Sequence, residues 1–143
     1  MPRIRSGPSA SRATPPTRAA ARDEQLAARR ARRAAAQEVF DDLAAEYLPH
    51  TDVSTGPMFG SQGLMRNGKF FAFVGRAGDM VLKLPESQAA HLVTSGEATA
   101  VRAGRNATRE WVGVPMPAGG GPSRWRDLLA DAFRYAGTPA RGA

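Results

Sequence analysis

An α+β fold is what this sequence predicts: an antiparallel sheet of about five or six strands, flanked by an N-terminal helix, a short middle helix and a C-terminal amphipathic helix. Three observations carry that reading. "SRWRDLLADAFRYAG" repeats Trp125, Leu128, Leu129, Ala132, Phe133 and Ala136 at helical spacing. "KFFAFVG" and "MVLKLP" are strand-like runs bounded by Gly and Pro. Turn signals such as "RNG" join these runs too closely for parallel crossovers, so the pairing must be antiparallel.

Residues 1–22 are rich in Pro, Ser, Gly and Arg, supply no core residue, and are expected to be disordered. Strong helix formers dominate from Asp23, which is placed to cap or to complement the positive end of a helix. Residues 23–36 then read as a basic Ala/Arg-rich helical extension. Phe40, Leu43 and Tyr47 recur at spacings of three and four with Val39 beside them, so docking is expected from about Gln37. "VSTGPMF" and "QGLM" follow as short strands, then the strong pair already named. Pro85 ends that run and "ESQAAHLVTSGEA" supplies a short helix, with Ala89, Leu92 and Val93 on its inner side and Gly96 to stop it. Another strand or two fit "ATAVRAGRNATREWVGVP", and Ser123 can cap the last helix. The folded domain is therefore expected over residues 37–137, with a disordered end at 138–143.

Charge is distributed as unevenly as structure. The net +7 of this 143-residue chain lies in residues 1–36, where nine arginines face only Asp23 and Glu24; the remainder is formally neutral. With no cysteine, disulfides and thiolate sites are excluded. His50 and His91 stand apart with no metal spacing, so neither metal nor cofactor is expected. No apolar run is long enough for a secretory leader or a membrane span, which gives a cytoplasmic expectation.

The glycines of "GPMFGSQGLMRNGKFFAFV" raise the question of a phosphate cradle. Such a loop needs a helix after it, and this one opens into a strand, while Lys69 is not followed by Ser or Thr. Gly60, Gly63 and Gly68 are read as turns or points of close approach. Phe71 and Phe73, two apart in a strand, are expected on one face with Phe70 opposite, as core and not as a base-stacking platform. Arg109 and Glu110, read as strand residues before Trp111, should point to opposite faces and form no concerted pair. No nucleophile has a base placed beside it, so an enzyme is not expected.

"MFGSQGLMRNGKFFAFV", "MVLKLP", "LVTSGEA", "REWVGVP" and the closing Trp-plus-amphipathic helix, in this order, resemble the N-terminal domain of the TfoX/Sxy family. The resemblance covers about Gln37 to Gly137. It implies an α+β fold and an association with regulation of natural competence in bacteria, and no catalytic reaction. The positions that match its motifs are Met58, Phe59, Gly60, Gly63, Gly68, Lys83, Arg109, Glu110 and Trp111, read as structural. Longer members add a C-terminal helical domain, which this chain is expected to lack, and the basic arm is not part of the pattern. The MmcQ/YjbR-like proteins are similar in size and in a Gly-x-x-Phe strand.

Two functional readings follow. One is a non-catalytic regulatory or protein-interaction module with an unidentified protein partner, and with an exposed sheet edge that would allow a homodimer. The alternative is a nucleic-acid-associated protein whose Arg29, Arg30, Arg32 and Arg33 dock weakly and without sequence preference on phosphates.

Overall fold

The computed structural model describes residues 17–58, 60–101, 109–116 and 122–138. Helix α1, Arg18–Ala44, leads into strands β1 (Val53–Met58), β2 (Ser61–Arg66), β3 (Lys69–Val74) and β4 (Met80–Lys83). Helix α2 (Glu86–Thr94) precedes β5 (Thr99–Ala100) and β6 (Trp111–Val114), and α3 (Ser123–Ala136) closes the order. The six strands form one antiparallel sheet in the order β1-β2-β3-β4-β6-β5. Its first four strands are the meander that the tight turns demand. The α+β architecture, with its N-terminal, middle and C-terminal helices, is as the sequence predicts.

One face of the sheet carries the core. Leu64, Ala72, Val74, Met80, Leu82, Val112 and Val114 form a layer onto which α1 lays Ala36, Phe40, Leu43 and Ala44. Helix α3 adds Trp125, Leu128, Leu129 and Ala132, and α2 adds Ala89 and Leu92. Val93, expected inside, is 37% exposed. The indole of Trp125 is fully buried, and its Nε1 donates to the Pro115 carbonyl at 3.2 Å, so its one polar atom is satisfied.

Helix α1 begins earlier than its composition suggests. Thr17, not Asp23, is the N-cap: its Oγ1 accepts from the Ala20 amide at 3.0 Å. Residues 18–22 are therefore helical, because Arg-Ala-Ala-Ala-Arg costs little to wind once a cap precedes it. Contact with the sheet also starts before Gln37. Arg33 donates to Ser61 Oγ at 2.7 Å, and the β3–β4 turn lies against the helix backbone at Arg32.

A β-bulge overturns the expectation for the phenylalanines. Leu64 pairs with Ala72 and Met65 with Phe70, so Phe71 is the extra residue on β3. Alternation breaks there. Phe71 joins the core and meets the Phe133 ring at 6.1 Å, while Phe73 lies on the second face, 5.9 Å from the Trp111 ring. That second face also carries Val81 and Gly113, paired in register with Phe73 across β4 and β6. Gly63 sits under it, where an added Cβ would stand 3.0 Å from that of Phe73. Trp111 is partly exposed there.

Candidate functional site

The end of the sheet that carries the β2–β3 turn meets the C-terminal turn of α3, and the gap between them is a cleft of about 370 Å³. Asn67 and Gly68, with φ of 53° and 79°, fold the tight turn that the "RNG" signal predicts and set Arg66 and Lys69 opposite each other in register. Phe70 and Phe71 line the cleft from β3, Lys83 from β4, and Tyr135 and Thr138 from the end of α3.

Arg66 is held on every side. Its Nε donates to Asp52 Oδ2 at 2.8 Å, its Nη1 donates to the Phe133 carbonyl at 2.7 Å, and its guanidinium carbon lies 4.0 Å from the Phe133 ring centre. The bond from Arg66 holds the Asp52 carboxyl below its ordinary value. Tyr47 and His50 pack on the same Phe133 ring, at 4.8 and 4.9 Å. Burial, then the neighbouring Glu46 carboxylate, push the Tyr47 hydroxyl up.

Glu110 organises the opposite wall. It accepts a hydrogen bond from the Tyr135 hydroxyl, its Oε1 lies 3.8 Å from Lys83 Nζ, and its backbone carbonyl accepts from the Leu84 amide at 2.8 Å. One carboxylate thus ties the end of β4 to the end of α3. Arg109 and Glu110 occupy the turn before β6 and not the strand itself, which frees the Glu110 side chain to reach both partners. Lys69 differs from these groups. It is exposed and has no acidic partner among the described residues.

The residues singled out from sequence separate into several places. Lys83 and Glu110 come together in the cleft, and Trp111 pairs with Lys83 in the sheet. Gly60, at φ 82°, turns β1 into β2 beside Arg33, whose Nη2 would lie 3.4 Å from a Cβ there. Gly63 lies on the second face, and Met58 ends β1. Phe59 lies outside the described residues. Arg29, Arg30 and Arg32 are exposed on α1 and far along the chain's path from the cleft, while Arg33 is half-buried. Sequence reasoning missed Arg66, Lys69 and Tyr135 as site residues. Lys69 was legible as the first residue after a tight turn; Tyr135 carries no signal, because its partner is 25 residues away.

Among the described residues no group of three His, Asp or Glu side chains could hold a metal ion, and no helix is long and apolar enough to cross a membrane. Comparison with protein-family models, with curated proteins and with solved structures gave no match.

Proposed function

We propose that this chain is a non-catalytic interaction module of the TfoX/Sxy N-terminal-domain type, whose cleft receives an acidic segment of a protein partner and so serves a regulatory contact. The observation that carries the reading is Lys69, an exposed cation with no acidic partner among the described residues, at the rim of a cleft lined by Phe70 and Phe71. Arg66 and Lys83 are already matched by Asp52 and Glu110, so Lys69 supplies the excess positive charge. An aromatic lining beside an exposed lysine suits a carboxylate flanked by an apolar side chain. Glu110, Lys83 and Tyr135 are engaged with one another in joining elements, which suits a scaffold role.

The test is a cross-linking pull-down after nuclease treatment, with the wild-type chain and Lys69→Glu compared. The expected result is a protein captured by the wild type and lost with the charge reversal. Equal capture by both chains, or capture abolished by nuclease, would overturn the reading.

A further inference from the structure

The buried stripe of α1 does not end where the core ends. Leu43, Phe40 and Ala36 are buried, and the same helical face, followed back in steps of three and four, runs through Arg33, Arg29, Leu26, Arg22 and Arg18. Apolar over the sheet, the stripe becomes basic beyond it. Between Thr17 and Ala35 the helix carries six arginines against Asp23 and Glu24. At 100° per residue the two acids fall away from the line of Arg18, Arg22 and Arg29, so the charges on that face are all positive.

The overhang is also held to the body. Arg33 bonds Ser61, and the β3–β4 turn abuts the backbone of Arg32, so one end of the basic segment is fixed relative to the domain. From Arg18 to Arg29 the helix extends about 17 Å, and every residue from Arg22 to Arg32 is exposed. The far side of this segment is alanine with Asp23 and Glu24, and Leu26, beside the arginines, is its one large apolar side chain. A membrane-surface helix would need a broad apolar face, which this one lacks. The complementary partner is a rod with dense regular negative charge and a groove that admits a helix.

We infer that the overhang of α1 is a docking face for duplex DNA, in which Arg18, Arg22 and Arg29 contact phosphates along the major groove without reading sequence. Duplex DNA carries one charge per roughly 1.7 Å of axis, and its major groove, about 12 Å wide, accepts an α-helix. The assignment shifts the contact from the Arg29–Arg33 cluster to a longer face, since Arg33 is engaged with the sheet. This surface is separate from the cleft, and either could fail without the other.

The experiment is a fluorescence-anisotropy titration of a random-sequence DNA duplex with the full chain and with Arg18→Gln/Arg22→Gln/Arg29→Gln, each at several salt concentrations. Glutamine keeps helix propensity, and circular dichroism checks that helix content is unchanged. The triple variant is expected to bind at least tenfold more weakly at low salt, with a log–log salt slope shallower by about 3, from roughly 0.9 per phosphate lost. Affinity and slope unchanged within twofold would overturn the proposal, as would absence of binding by the full chain at low salt. Binding to phosphatidylserine vesicles, or to an acidic peptide, more tightly than to the duplex would overturn it too.

Discussion

Asp52 and Asp79 show how one residue type contributes with opposite sign. Arg66 holds the Asp52 carboxyl below its ordinary value, so this pair stabilises the fold fully above the unfolded value and loses its effect as pH falls through the folded one. Burial alone raises Asp79, at the start of β4 beside Val81 and Val101. Its charged form is therefore disfavoured in the folded state, and stability drops as pH rises from the ordinary value through the raised one. Asp79→Asn should raise the melting temperature at pH 7, and the gain should vanish below about pH 4. Asp52→Asn should lower it at pH 7 and do nothing in acid. Melts of both variants from pH 3 to 7 check the signs; parallel curves for the two would refute them. Gly78 sets a steric limit of a different kind. Its φ is +87°, and an added Cβ would lie 3.2 Å from both the carbonyl carbon and oxygen of Arg32, whereas Gly68, at φ +79°, has nothing within 4 Å. Alanine at Gly68 should cost about 1 kcal/mol for the left-handed backbone. At Gly78 the helix backbone must also move, so chemical denaturation should show a clearly larger loss there.

At the scale of elements, what was legible depended on whether the cause is local. The stripe of α3 and the Asn67–Gly68 turn are written in neighbouring residues, and both form where the pattern puts them. The bulge at Phe71 is not local, because it depends on how β2 registers against β3, and strict alternation then puts Phe71 and Phe73 on the wrong common face. The cleft was half legible for the same reason: Lys83 and Glu110 stand in motifs, but Tyr135 and Arg66 enter through contacts made across 25 and 67 residues. The start of α1 was missed because Thr17 caps it from a Pro-rich context that reads as coil. Its length nevertheless adds little to the fold, since the first buried residue is Ala36. A chain beginning at Arg30 should therefore melt within about 4 °C of the full chain, the equivalent of roughly 1 kcal/mol for a domain of this size. One beginning at Ala35 loses the Arg33–Ser61 bond and the packing of the β3–β4 turn, and should fall further. Equal melting of the two truncated chains would show that α1 is anchored only from Ala36 onward.

For the whole molecule, the sheet is covered unequally. All three helices bury side chains in the cluster on one face, and the other face rests on the Phe73–Trp111 pair and Val81. The edges are unequal too: β5 is two residues long, and β1 carries Gly56 and Pro57, which blunt the pairing of a second copy along that edge. The two tryptophans report on the two faces separately. Trp125 is fully enclosed between α3 and the core with its Nε1 bonded to Pro115, whereas Trp111 is partly exposed at the start of β6. Iodide should therefore quench only part of the native emission. Trp111→Phe should leave a fluorescence that iodide hardly touches, and Trp125→Phe should leave one that it quenches efficiently. A charged quencher needs collision with the ring, so burial decides the result, and near-ultraviolet circular dichroism confirms that each variant keeps its tertiary packing. If the Trp111→Phe variant were quenched as strongly as the Trp125→Phe variant, the helical face would be open to solvent and the two-faced arrangement would have to be abandoned.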